Sequence, residues 1–265
     1  MALKITKHGK SLIILGMVCY VIFLFITLPA SFLTGYILPS IESAQFIKLQ
    51  SVHGNIWNGH ATHARVGSFN LGKLDWQLSP WGLLTGDVDL NLKFHHEDTR
   101  GAGLVSLGLG GATQANNVEL AFPAEALQPL IYGFPISISG NFRGTIADLN
   151  YVQNEIMNAN GRVVWQSAAL RAPQNIELGD FLLILSPQNN GTKIKITDEN
   201  QGPVKAEINI KLDGKGKYNL NGWLQARDQS QQHITEALRL IGRSDSTGRY
   251  WISYNGKFAN QRGRR

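Results

Sequence analysis

Residues 204–212 read Val204-Lys205-Ala206-Glu207-Ile208-Asn209-Ile210-Lys211-Leu212, an unbroken alternation of apolar and polar side chains. In an extended chain successive side chains point to opposite faces, so this segment makes a strand with one dry and one wet face, the pattern of an antiparallel sheet. The same period runs outward in both directions. Toward the N-terminus it recurs at Ile136 and Ile138, at Val118, Leu120 and Phe122, at Val88, Leu90, Leu92 and Phe94, and at Leu74, Trp76 and Leu78. Toward the C-terminus it returns at Tyr218, Leu220 and Leu224 and again at Tyr250, Ile252 and Tyr254. Asn189-Asn190-Gly191, Asp213-Gly214 and Asn255-Gly256, residues that tolerate positive φ, predict turns between the runs. About a dozen strands are expected on this count.

Helical periodicity is scarce. Over Gln231–Ile241, Ile234, Ala237, Leu238 and Ile241 share one helix face, with Ser230 placed to cap the start and Gly242 to end it. A weaker pattern covers Ala124–Ile131 and is interrupted by Pro129. Two short helices cannot cover so many apolar strand faces, so the sheet is expected to close on a second sheet or curl around itself.

The chain has 265 residues, 43% hydrophobic and 17% charged, enough for one large domain or two small ones with a substantial core. Its formal charge of +6 sits at the ends: Lys4, Lys7 and Lys10 precede the first acid, Glu42, and Arg262, Arg264 and Arg265 close the chain. The body, residues 34–258, balances 19 basic against 19 acidic side chains. A nucleic-acid binder carries its positive charge on the folded surface, where it displaces counterions, so no nucleic-acid partner is expected. The basic tail, 259–265, reads as solvated.

Residues 12–28, LIILGMVCYVIFLFITL, carry no charge, and the apolar stretch continues to Leu33. As a helix, 12–33 would measure roughly 33 Å, enough for a hydrocarbon core of about 30 Å. A cleaved signal peptide is the competing reading, but Leu28 stands where a small residue would be required three positions before a cut after Ala30. The expected layout is a basic cytoplasmic stub (1–11), a transmembrane anchor (12–33), an exported β-rich domain (34–258) and the tail (259–265), with the lysines fixing the N-terminus in the cytoplasm. The fold class is thus mainly β: an N-terminal transmembrane helix, then a large, mostly antiparallel curled sheet or sandwich with one or two short helices. Cys19, the single cysteine, lies inside the span, so the exported part holds without disulfides.

Residues that carry chemistry are thinly spread. His60 and His63 are three apart, which in a strand sends them to opposite faces, and adjacent His95 and His96 also diverge. No nucleophile elbow, exported thiol or phosphate loop occurs, and Gly108-Leu109-Gly110-Gly111-Ala112-Thr113 lacks the lysine and helix that a phosphate loop needs. Asp87 and Asp89 alternate with Val88 and Leu90 as a wet strand face. No catalytic residue, metal site or cofactor is expected. The aromatic residues say more. Trp57, Trp76, Trp81 and Trp165 fall in or beside strands, and with Val204, Ile208 and Ile210 on the dry face they are candidate contacts: core anchors, or the rim and lining of a groove that grips a partner or an acyl chain.

Three stretches together carry a resemblance. The first is Gly54-Asn55-Ile56-Trp57-Asn58-Gly59-His60-Ala61. The second is Leu74-Asp75-Trp76-Gln77-Leu78-Ser79-Pro80, continuing to Leu83-Leu84-Thr85-Gly86. The third runs from Ala237-Leu238 through Ile241-Gly242-Arg243-Ser244-Asp245 to Gly248-Arg249-Tyr250. In this order behind an apolar N-terminus, they resemble the type II secretion system protein N family. The resemblance implies a non-enzymatic, single-pass protein of the Gram-negative inner membrane, its N-terminus cytoplasmic and its bulk periplasmic. It would be an accessory to the machine that exports folded proteins across the outer membrane, with other secretion subunits as partners. The family is also distantly similar to the AsmA/TamB group, whose curled sheets enclose an apolar groove. That similarity implies an alternative role in binding or transporting phospholipid.

Overall fold

The computed structural model describes residues 7–38, 47–67, 69–82, 86–108, 112–129, 136–152, 155–172, 175–189 and 191–257. The chain opens with helix α1, Lys7–Ile26. It stops there, short of Leu33, because the next residues pair with the sheet: Ile56 N–H donates to the Leu28 carbonyl and Ala30 N–H to that of Gly54, both at 3.0 Å. Pro29, which has no N–H to continue a helix, forms an isolated bridge with Asn55. A short π-helical turn follows at Leu33–Ile37. Among the described residues no helix is long and apolar enough to cross a membrane. The apolar part of α1, residues 12–26, amounts to about 22 Å against a hydrocarbon core of about 30 Å.

Among the described residues fourteen strands form one antiparallel sheet in which nearly every strand pairs with its neighbours in sequence. They are β1 (Ile47–Gly54), β2 (Asn58–Val66), β3 (Phe69–Ser79), β4 (Asp87–His96), β5 (Thr99–Gly108), β6 (Ala112–Pro123) and β7 (Ser137–Val152). The second half has β8 (Glu155–Ala172), β9 (Ile176–Gln188), β10 (Gly191–Glu199), β11 (Val204–Asp213), β12 (Lys217–Ala226), the two-residue β13 (Arg243–Ser244) and β14 (Tyr250–Lys257). The order departs from sequence only at the end, where β14 inserts between β12 and β13.

The register turns local alternation into a two-faced sheet. One cross-strand row reads Val52, Ala61, Leu74, Phe94, Gly101, Leu120, Gly144, Val163, Leu183, Ile196, Ile208, Gly222 and Ile252, apolar or glycine at every step. The adjacent row on the other face reads His53, His60, Asp75, Lys93, Ala102, Glu119, Thr145, Arg162, Ile184, Lys195, Asn209, Asn221 and Ser253. Two glycines serve a ring on the next strand: the space a Cβ would take is filled by Trp76 at Gly59 and by Phe94 at Gly101.

The expected closure does not occur. The described strands make a single open sheet with β1 and β13 at opposite margins, neither packed on a second sheet nor closed on itself. Cover is local instead. Helix α2, Gln232–Ile241, buries Ile234, Ala237 and Leu238. They join a core with Leu178, Phe181, Val204, Ala206, Leu224, Ala226 and Tyr250. A 3₁₀ turn at Ala124–Leu127 adds Ala124 to that core. A smaller cluster of Ala30, Ala61 and Trp76 sits at the other margin. Between them β4, β5 and β6 have no fully buried residue: Leu90 and Leu92 pack only partly buried against the smaller cluster, and Val118, Leu120 and Phe122 against the larger one.

Other expectations change for physical reasons. Asn255-Gly256 lies inside β14, held straight by pairing with Asn219 and Tyr218, so strand pairing overrides the turn propensity. Asp213-Gly214 does turn, with Gly216 N–H donating to the Asp213 carbonyl at 3.0 Å. Ser230 does not cap α2: Gln231 occupies the cap position, and the Ser230 hydroxyl donates to Asp228 at 2.6 Å. The helix expected over Ala124–Ile131 is a single 3₁₀ turn as far as the described residues show. His60 and His63 share the wet face, because β2 has an extra residue between buried Ala61 and Ala64 relative to Leu74 and Gly72 on β3. β1 follows that bulge with Ser51 at φ 51°. Residues 1–6, Leu83–Thr85, Leu109–Gly111, Asn190 and the tail from Phe258, all used in the sequence reading, lie outside the described residues.

Candidate functional site

Of the candidate residues, Trp57 and Trp76 are brought together, at the corner where α1 meets the first hairpin. Asn55 shapes that hairpin: its Oδ1 accepts from the Asn58 N–H at 2.7 Å and the Trp57 N–H at 3.1 Å. Trp57 is thereby turned toward α1, its Nε1 donating to the Phe25 carbonyl at 3.0 Å and its ring meeting Phe25 edge-on at 4.8 Å. Its own carbonyl accepts from the Leu78 N–H at 2.7 Å. Trp76 is 6% exposed, lies over Gly59, and donates from Nε1 to the Ile56 carbonyl at 3.2 Å. Beside this corner is an open concavity of about 560 Å³, its walls including Phe25, Trp57, Gln77, Asp89, Asn91 and Leu104. Asp89 is held there by the Ser106 hydroxyl at 2.6 Å.

The other candidates lie apart from that corner. Trp165 is the third ring of a row across four strands, Phe122, Phe142, Trp165 and Phe181, with successive centroids 5.4, 5.4 and 6.0 Å apart. Its Nε1 donates to the Ser139 carbonyl at 3.0 Å. Trp81 is 75% exposed in the β3–β4 connection. Val204 is 0% exposed in the α2 core, whereas Ile208 and Ile210 are half-buried on the dry face beyond it. A second concavity, of about 430 Å³, has Lys93, Arg100, Arg143 and Glu119 around it.

Sequence reasoning missed an aromatic and basic assembly near the β13 margin. Trp223 on β12 stands opposite Trp251 on β14, and Arg243 on β13 stands opposite Trp251. The Arg249 guanidinium lies 4.4 Å from the Trp223 ring centroid, a cation–π contact. Asp245 organises the loop. One of its oxygens accepts from Thr247 N–H (2.8 Å), Thr247 Oγ1 (2.6 Å) and Arg249 N–H (3.1 Å), and the other accepts from Trp251 Nε1 at 2.8 Å. These donors favour the ionised form, with the Thr247 hydroxyl foremost, and hold the Asp245 carboxyl well below the usual carboxylate range. A signal for the assembly existed: Trp223 and Trp251 are out of phase with Leu224, Tyr250 and Ile252, so the alternation puts two tryptophans on the wet face. Among the described residues no group of three or more His, Cys, Asp or Glu is placed to hold a metal ion.

Comparison with known proteins follows the same stretch of chain. The sequence profile of the family described as "Type II secretion system (T2SS), protein N" matches residues 46–253. The chain is 24% identical over 251 residues to Type II secretion system protein N of Aeromonas hydrophila, covering 92% of this chain and 96% of the relative. It is 24% identical over 216 residues to the protein of the same name from Vibrio cholerae serotype O1, covering 80% and 85%. The Klebsiella pneumoniae protein of that name is 24% identical over 253 residues, covering 91% and 93%. No solved structure matches. The profile spans α2, the hairpin corner and every strand from β1 to the middle of β14, and on that match the chain belongs to the type II secretion system protein N family.

Proposed function

We propose that the protein is a non-catalytic accessory subunit of the type II secretion system, held in the inner membrane by the apolar segment 12–33, of which α1 supplies only the first part, with its N-terminus in the cytoplasm. Its sheet stands in the periplasm and contacts other secretion subunits while folded proteins are exported across the outer membrane. One observation carries this reading. Every large apolar side chain of α1 from Leu12 to Ile26 is 45–68% exposed, on all sides of the helix, yet its end is bonded to the β1–β2 corner. A helix apolar all round needs an apolar surrounding, and these bonds would hold the sheet at a set orientation to it. Deletion of the gene tests the reading. Folded exoprotein should accumulate in the periplasm and reappear in the medium when the full chain is supplied; unchanged secretion defeats it.

The dry face favours a second reading, phospholipid binding, because among the described residues no second sheet covers Ile208 and Ile210. Exposed contiguous apolar surface normally has an occupant. Native mass spectrometry of the full chain should then show phospholipid at near-stoichiometric amount, reduced by Ile208→Asp. A lipid-free, folded chain removes this reading.

A further inference from the structure

We infer that the concavity beside the Trp57 corner seats the ammonium-bearing headgroup of a membrane lipid, of the ethanolamine class. The inference rests on the membrane-anchor reading above, and its site is on the wet face, apart from the dry face of Ile208 and Ile210. Position brings lipid to it. α1 ends at Ile26, and Phe25 and Ile26 are part of the wall, so the hollow lies where the apolar helix gives way to the sheet. The apolar part of α1, about 22 Å against a hydrocarbon core of about 30 Å, leaves these strand ends at the boundary between acyl chains and headgroups. Trp81, just beyond the same end of β3, is exposed, as tryptophans of that boundary are.

The walls choose the headgroup. Gln77, Asn91 and Leu104 form one cross-strand row on the wet face, and Asp89 stands opposite Ser106 in the next row toward the strand ends. Among the described residues no Lys or Arg belongs to the wall, so nothing there favours an anionic headgroup. One Asp89 oxygen accepts from the Ser106 hydroxyl at 2.6 Å, and among the described residues no cation is in ion-pair contact with the carboxylate. The side-chain amides of Gln77 and Asn91 bond no other described residue, which leaves both oxygens free to accept. An ammonium, with three N–H donors, meets a carboxylate and two amide oxygens here, with the exposed Phe25 ring beside them. Leu104, exposed among polar neighbours, gives the glycerol end of the lipid an apolar rest, and the open mouth leaves the phosphate in water. The volume of about 560 Å³ lies within the range of about 300–1,000 Å³ usual for small-ligand sites.

The test places the full chain in bilayer nanodiscs of equal parts phosphatidylethanolamine and phosphatidylglycerol with matched acyl chains. Native mass spectrometry then reads which lipid stays bound as the disc is stripped away. The expected result is one phosphatidylethanolamine per chain, retained over phosphatidylglycerol by about tenfold, as one charge-assisted contact would give. Asp89→Asn and Asn91→Leu should each abolish most of that preference, while Lys211→Ala, on the same face of distant β11, leaves it unchanged. Circular dichroism of each variant checks the sheet. Equal retention of the two lipids, retention of neither, or a preference that survives both variants overturns the inference. A preference lost in Ile208→Asp but kept in Asp89→Asn also overturns it, by assigning the lipid to the dry face. Alkaline extraction of cell membranes is run in parallel: a chain released by it defeats the membrane anchor itself, whereas a retained chain without the lipid preference defeats only this site.

Discussion

Gly59→Ala tests whether aromatic rings over glycine substitute for the missing second layer. An alanine Cβ at this position would occupy the space of the Trp76 ring, and would also crowd the His53 carbonyl. The ring cannot withdraw freely, because it is buried and its Nε1 is bonded to the Ile56 carbonyl at 3.2 Å. Overpacking of this kind costs about 1–3 kcal/mol, and loss of the indole hydrogen bond adds about 1, for a total of about 2–4 kcal/mol. At 2–4 °C per kcal/mol for a protein of this size, the melting midpoint should fall by roughly 4–16 °C. Trp76→Leu alone loses ring contacts and leaves a void, at about 2 kcal/mol or more. In the double variant the new methyl enters that void, so the combined cost should fall short of the sum by at least about 1 kcal/mol. Thermal melting of the full chain in a membrane mimetic gives the totals, and hydrogen exchange of β1–β3 amides shows where they act. Costs that add within about 0.5 kcal/mol would refute the packing argument.

Leu238→Ala removes a fully buried side chain of α2 and should destabilise the sheet by about 2–5 kcal/mol, measured by urea unfolding, with β9, β12 and β14 amides exchanging first. Trp57→Ala breaks both the Phe25 ring contact and the bond to its carbonyl, so added protease should cut near Pro29 while the wild-type chain resists; equal cutting counts against the docked corner. Asp245 has a folded pKa below its unfolded value, so its contribution is fully present above the ordinary carboxylate range and is lost only as pH falls through that lower folded value. Tryptophan fluorescence from the loop should therefore stay constant through the whole ordinary carboxylate range and change only below it, and Asp245→Asn should show the changed signal already at neutral pH.

β3, β4, β6, β7, β11, β12 and β14 were legible because each, from Leu74–Leu78 to Tyr250–Tyr254, repeats one local rule, and α2 was legible because Ile234, Ala237 and Leu238 keep a helical spacing. What covers the dry face was not legible, since alternation is the same whether a strand meets a second sheet or only its own neighbours. The shared face of His60 and His63 depends on one extra residue relative to β3, a count visible only in the pairing. Trp57 was singled out in the sequence as a candidate contact, but its hold on Phe25 joins positions 32 residues apart, which no local pattern encodes. The Trp223–Trp251 pair could have been found from its phase.

Strand order that follows chain order also governs how the sheet is assembled. Except for β13, each strand pairs with the one made just before it, so no strand waits for a distant partner. Low sequence separation between contacts favours fast formation, and domains made from the N-terminus fold as they appear. The hairpin at Trp57 would form first against α1, and each later strand would find a finished edge. A growing sheet of this kind resists sliding back along the path of its own synthesis. The last step differs: β14 must join β12 after α2 and β13 have been made, so closing the C-terminal margin is the slow, late event, and the chain remains extensible at that end until it occurs.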